Sequence, residues 1–438
     1  MARRWLKRGA YTLVGALMIV LVALVVLLSR AGIELTEHGV HRRLVVPTIG
    51  TTSIALPIYS GTGDRVAMPG FLDGPVVRRD GTGGWTARWF CIDRAETLAG
   101  RGATLRIECG GRTYAFSLDD VAVPPAVAPM PERVLAISDI EGNARFLEAA
   151  LRKSGVVDTA GEWALGRGHL VVLGDSVDRG RDVFAVLWRL HGLSAQASAA
   201  GGAVHVVLGN HEQYVLRSNI SRAHPEHLYA LNAMGGYAAA FAEDTVIGGW
   251  LRRQPVALKL GDVLFVHGGI SPEVARSGLD VPALNAASAD YWASTPGHVR
   301  TGAALDAVFG MAGVTQYRGY LMPLEDGYPI ASQAQVDDAL KAYGASAIVV
   351  AHTPVPRVTR LFEGRVLAID VNDDGAQPEV LAFASGKPEV LDLGEPRRLR
   401  DAGGTSRREF SLLNAGDRRL LADMYRHARR LSALPHPY

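Results

Sequence analysis

Cysteine is nearly absent from this chain: two, Cys91 and Cys109, occur in 438 residues. A pair with nothing else to bind reads as one disulfide if its segment lies outside the cytoplasm, and as two buried thiols otherwise. Charge of one sign is also missing. Lys and Arg number 46 against 44 Asp and Glu, a formal net charge of +2, and no basic run interleaves with aromatics as nucleic-acid surfaces do. A nucleic-acid partner is therefore not expected. There is no internal repeat and no extended low-complexity segment, and the length suits a large core plus a small second domain.

Long apolar runs are lacking too, with one exception. Arg3, Arg4, Lys7 and Arg8 precede an uncharged stretch at 9–29. At roughly 1.5 Å rise per residue it just spans a hydrocarbon core of about 30 Å. The positive charges ahead of it put residues 1–8 in the cytoplasm and the rest outside, in the periplasm of a bacterium. The expectation is a single-pass anchor at 9–29; a cleaved signal peptide ending near Ser29-Arg30-Ala31 is the competing reading.

What the chain does have is five polar clusters, each closing a short run of Val, Ile and Leu. Runs at 134–137, 170–173, 204–208, 263–266 and 348–350 lead into Ser138-Asp139-Ile140-Glu141-Gly142-Asn143, Gly174-Asp175-Ser176-Val177-Asp178-Arg179-Gly180, Gly209-Asn210-His211-Glu212, His267-Gly268-Gly269 and Ala351-His352-Thr353-Pro354. Such runs read as buried strands, and helical spacing follows two of them, at Phe146, Leu147, Ala150, Leu151 and at Val183, Phe184, Leu187, Leu190. Strand, polar loop and helix recur as a unit, which predicts an α/β sheet with its ligand site beyond the strand ends.

The residue types at those ends suit cleavage of a phosphate ester. Two metal ions about 3.5–4 Å apart can neutralise a phosphate dianion and hold an activated water for in-line attack. Asp139, Asp175, Asn210, His267 and His352 are the oxygen and imidazole ligands such ions need, with Asp175 as the bridge. Arg179 offers a planar fork to phosphate oxygens. His211 stands ready to protonate the leaving oxygen, oriented by Asp178. Asp370, closing another short apolar run, reads either as a hydrogen-bond partner of a ligand histidine or as a plain strand end. His205 alternates within an apolar strand and reads as a core histidine.

These motifs resemble the calcineurin-like metallophosphoesterase superfamily, in its phosphoprotein-phosphatase branch, over about residues 133–372. Gln316-Tyr317-Arg318-Gly319-Tyr320 and Ala351-His352-Thr353-Pro354 look most like the bacterial, Shewanella-like group. The resemblance implies a β-sandwich flanked by helices, and makes Arg318 a second phosphate-gripping arginine. The ligand types call for two divalent metal ions, manganese foremost and Fe, Zn or Mg as alternatives. The chain departs from the family pattern D-x-H at Glu141, which stands where the family has His. Glu141 either adds a carboxylate ligand, favouring hard cations, or turns to solvent and weakens the first metal.

The expected organisation is a basic segment at 1–8, the anchor at 9–29, a small β-rich accessory domain at 33–120, a Pro-rich linker at 121–132, the catalytic domain at 133–395 and a basic tail at 396–438. In the accessory part Trp85, Ala87 and Trp89 alternate, and Leu105, Ile107 and Cys109 run into Gly110-Gly111 before Tyr114 and Phe116, a hairpin signal. The tail carries helical spacing at Leu420, Leu421, Met424 and Leu431 among arginines, either packed on the domain or lying on anionic lipid. The function expected is hydrolysis of phosphomonoesters, phosphoserine and phosphothreonine in proteins first, by attack of water activated on the metals. A nucleotide, dinucleoside-polyphosphate or lipid-phosphate hydrolase keeps the same site, and a non-catalytic phosphate sensor is the reading in which the site has decayed at Glu141.

Overall fold

The computed structural model describes residues 2–29, 32–34, 43–47, 53–57, 72–92, 94–293, 301–372 and 376–394. They fall into two compact units, one holding the described residues up to 57 and the other those from 72 onward. The expected tail helix, at 396–438, lies outside the described residues.

The first unit contains the helix Ala2–Ser29 and an antiparallel sheet of Gly32–Glu34, Arg43–Pro47 and Ser53–Pro57. The helix has no proline, and its side chains over 11–26 are exposed all round, Leu13 by 66 % and Ile19 by 71 %. Among the described residues no helix is long and apolar enough to cross a membrane. The described helix thus lends the anchor expected at 9–29 no support of its own.

In the second unit all five apolar runs fall on strands. One sheet has the order Ala203–Val207, His169–Leu173, Arg133–Ile137, Glu379–Ala384 and Lys387–Asp392, the first three parallel and the last two joined antiparallel. The other runs Thr359–Leu361, Val366–Ala368, Ala347–Val350, Val263–Val266, Ala257–Leu260 and Val127–Ala128. The two share one apolar core, where Phe265 and Phe383 meet edge to face at 5.9 Å.

Helices follow the first two strands as their spacing predicts. Ala144–Lys153 starts at Asn143, whose side chain accepts from the Phe146 N–H at 2.9 Å, and its last turn carries Arg152 and Lys153. It buries Phe146, Leu147, Ala150 and Leu151, and the three larger side chains contribute about 1.5–3 kcal/mol each. Val183–Ala199 buries Val183, Phe184, Leu187 and Leu190 in the same manner.

The β-rich segment has the expected hairpin. Thr104–Cys109 and Arg112–Ser117 pair around Gly110 and Gly111, both at positive φ, as a primed turn requires. The strands Leu72–Arg79, Gly84–Cys91 and Arg94–Arg101 form a second antiparallel sheet, with Trp85, Ala87 and Trp89 buried on one face. Cys91 and Cys109 are joined in a disulfide that ties this sheet to the hairpin. The segment belongs to the same compact unit as the five polar clusters. The Trp188 indole donates to Pro75 O at 2.9 Å, and His227 Nδ1 lies 2.6 Å from the Asp73 carboxylate. The prolines at 121–132 do not make a detached spacer: Val127–Ala128 pairs with Ala257–Leu260, because the non-proline residues there keep the groups a ladder needs.

Two buried histidines give this unit an acid limit. His191 is wedged between Trp188 and Trp250, ring centroids 5.5 Å away on either side, with Nδ1 unbonded. Burial, then the nearby Arg79 and Arg253, push it down to about 4. His205 sits in the core as its strand position predicts, 3.0 Å from His169, and burial pushes it down to about 3. Both take up protons in the unfolded chain near 6.5, but not yet in the folded one. The stability they contribute is present above that pH and is lost as pH falls toward 4. For His191 this amounts to about 3 kcal/mol in total. Denaturant unfolding at pH 7 and pH 5 should show the loss, and His191→Phe should reduce the pH dependence; an unchanged slope removes His191 as a cause.

Candidate active site

Every ligand-type residue sits one to four positions past a strand end. Asp139 follows Arg133–Ile137, Asp175 follows His169–Leu173, Asn210 and His211 open the helix Asn210–Leu216, His267 follows Val263–Val266, and His352 follows Ala347–Val350. To aim side chains inward the loops turn sharply. Asp139, Glu141, Asp175, Asp178, Arg179 and His352 all adopt left-handed backbone, with φ from 48° to 67°. Outside glycine this costs about 1–3 kcal/mol per residue. Loop-to-loop bonds hold it in place: Asp139 N to Gly174 O, Glu141 N to Asp175 O, and Gly142 N to Ser176 O, at 2.8–3.0 Å. Gly209 leaves no room for a side chain, since a Cβ there would lie 2.3 Å from Asp175 Oδ1.

Asp175, His267 and His352 bring one ligand atom each within 4.8 Å of one another, all buried, and among the described residues they are the group so gathered. His267 Nδ1 donates to Leu173 O at 2.7 Å, which turns Nε2 toward Asp175 Oδ2 at 3.1 Å and Asn210 Oδ1 at 3.3 Å. His352 Nε2 is buried without a hydrogen-bond partner. A carboxylate, an amide oxygen and two oriented imidazoles fit a divalent ion. Burial opposes the imidazolium, but the Asp175 carboxylate beside His267 raises that imidazole to about 10. Asp139 is buried nearby, and burial, then the neighbouring Asp370 carboxylate, hold it well above the usual range.

His211 and Asp178 form the expected pair, Nδ1 to Oδ2 at 3.1 Å, and His211 Nε2 lies 3.8 Å from Asp175. Burial works against the imidazolium, but Asp175 and the hydrogen bond to Asp178 outweigh it and raise His211. Arg318 reaches the site through the His352 loop, donating to His352 O and, at 3.2 Å, to Thr353 Oγ1. Arg179 meets Glu141, Nη1 to Oε1 at 2.6 Å. Glu141 does not turn to solvent: its side chain is 6 % exposed, yet it is not gathered with Asp175, His267 and His352.

Two features escaped sequence reasoning. Glu212 accepts the N–H groups of Asp175, Ser176 and Gly209 at 2.7–3.0 Å, pinning two ligand loops together. The fourth position of Gly-Asn-His-Glu was the available signal. Tyr237 donates to Asp178 Oδ1 at 3.4 Å, from a segment without a motif. Asp370 accepts from Asn372 N, and among the described residues its carboxylate makes no hydrogen bond to a ligand histidine.

Residues 132–356, slightly over half of the chain, match the calcineurin-like phosphoesterase family, and the chain belongs to it. It is a metal-dependent phosphoesterase. Its nearer likenesses lie among phosphatases. A solved cold-active protein-tyrosine phosphatase of a psychrophile, Shewanella sp., is 32% identical with a TM-score of 0.66, covering 74% of this chain and 100% of that one. Shewanella-like protein phosphatase 2 of Arabidopsis thaliana is 35% identical over 82 residues, 19% of this chain and 21% of its own length. A symmetrical bis(5'-nucleosyl)-tetraphosphatase of Janthinobacterium sp. (strain Marseille) is 33% identical over 138 residues, 32% of this chain and 44% of its own. The chain thus spans less than half the length of these two curated relatives.

Proposed function

We propose that this chain is a membrane-anchored phosphatase working with two divalent ions, manganese foremost, on phosphorylated protein side chains. The observation that carries the reading is the meeting of Asp175, Asn210, His267 and His352 with the His211–Asp178 pair in one buried site. Divalent ions held there would withdraw charge from the phosphoryl group and acidify the attacking water. Arg179 and Arg318 grip phosphate oxygens with planar guanidinium forks. His211 gives its proton to the leaving oxygen while Asp178 fixes the ring through Nδ1. No side chain needs to carry the phosphate covalently.

Similarity to a protein-tyrosine phosphatase adds phosphotyrosine to the phosphoserine and phosphothreonine expected from sequence. Similarity to the tetraphosphatase supports a second reading, a dinucleoside-polyphosphate hydrolase. The test is hydrolysis by the full chain in detergent, stripped of metal and refilled with Mn, Mg, Zn or Fe, on phosphopeptides, diadenosine tetraphosphate and a lipid phosphate. Phosphopeptide turnover that returns with a metal supports the first reading. Preference for the dinucleotide or the lipid replaces the substrate, and silence on all three with phosphate still bound points to a sensor.

Arg179→Ala is expected to lose about two to three decades of turnover, the equivalent of roughly 3–4 kcal/mol of charge stabilisation. Near-native hydrolysis of p-nitrophenyl phosphate would remove Arg179 from that role. The anchor rests on the apolar 9–29 stretch behind four basic residues, which also directs the catalytic unit outside the cytoplasm. Release of the chain from membranes by alkaline carbonate would overturn it.

A further inference from the structure

The Arg179–Glu141 ion pair joins the group meant for phosphate to the residue that stands where the family pattern has His. The two backbones are locked together: Gly180 N donates to Glu141 O at 2.8 Å and Asp182 N to Gly142 O at 3.0 Å. A Cβ on Gly142 would come within 2.8 Å of Gly180 O, so the two loops pack too closely there for any side chain. The exposures of the paired side chains differ: the Arg179 side chain is 33 % exposed and that of Glu141 6 %. A phosphate dianion arriving from solvent therefore meets the guanidinium before it meets the carboxylate, and carries more charge than the carboxylate it competes with.

We infer that the pair is a latch coupling phosphate to the second metal ion. Without phosphate, Arg179 holds the Glu141 carboxylate, and the chain binds one divalent ion tightly through Asp175, Asn210, His267 and His352. When a phosphate group takes the guanidinium, Glu141 is released to help Asp139 and Asp175 hold a second ion. An imidazole at 141 would not attract Arg179, so the device belongs to this chain's Glu. By linkage, the second ion must tighten phosphate by the same factor that phosphate tightens the ion. The inference rests on the proposed phosphatase reading and deepens it, since it makes the metal complement respond to substrate.

Calorimetric titration of the full chain in detergent with Mn, with and without inorganic phosphate, tests this. The proteins are wild type, Arg179→Ala, Glu141→Gln and the double variant, each checked by its melting curve. The wild type should bind one ion tightly and a second about tenfold or more weakly, and phosphate should tighten the second by a factor of order ten. Arg179→Ala should tighten the second ion by a similar factor without phosphate, and Glu141→Gln on top of it should abolish the gain. A gain that survives in the double variant reflects bare removal of positive charge and overturns the latch. No gain in Arg179→Ala, or two equal tight ions in the wild type, also overturns it. Should Glu141→Gln fail to fold, Glu141→His replaces it: two tight ions without phosphate are expected, and an unchanged weak second ion is contrary. A wild type that binds no ion at all defeats the phosphatase reading itself, a separate outcome.

Discussion

Asp175→Asn should lower phosphatase turnover on the order of a thousandfold or more and strip the chain of its tight divalent ion. Asp175 is the sole carboxylate in the gathered ligand group. Its Oδ2 faces His267 Nε2 at 3.1 Å, and its Oδ1 accepts the His211 N–H at 2.9 Å. Asn tolerates the left-handed backbone at this position, so the loop survives while the charge goes. The attraction that raises His211 goes with it. Metal content by elemental analysis, beside p-nitrophenyl phosphate kinetics, checks both parts. A folded variant with full metal and near-native rate would take Asp175 out of the metal centre.

His211→Gln carries the second large effect, and the leaving group decides its size. An alkyl phosphate such as phosphoserine leaves as a strong base and needs a proton, so the variant should lose about 10²–10⁴-fold in kcat. p-Nitrophenolate leaves unaided, and its ester should suffer far less. Phosphotyrosine should fall between the two. Comparing the three esters in wild type and variant checks the assignment. An equal loss on all of them would mean that His211 organises the site instead of donating a proton.

The five strands and the polar clusters at their ends were legible because their signals are local. A run such as 170–173 needs only its own hydrophobicity to become a buried strand, and Gly-Asp at its end needs only the turn. Glu212 was not legible as a clamp, since its partners Asp175 and Ser176 lie more than thirty positions away and only the fold brings them near. Glu141 shows the same limit. Its sequence position offers metal and solvent as alternatives, yet the buried side chain meets Arg179 because two loops cross. The β-rich segment looked separable because its hairpin is encoded locally. What joins it to the rest, Asp73 with His227 and Pro75 with Trp188, spans more than a hundred residues.

The left-handed loops at Asp139, Glu141, Asp175, Asp178, Arg179 and His352 bear on how such an enzyme can be lost. Each holds a side chain where glycine would sit with less strain, so the residues proposed to do the chemistry are ones the fold would sooner be without. Drift that replaces one of them with a more relaxed residue meets little resistance from folding, and a gene copy freed from selection for turnover keeps its shape. If the proposed function holds, inactivation at Asp139, Asp175 or His352 relieves the backbone it alters and leaves the strands that carry these loops untouched.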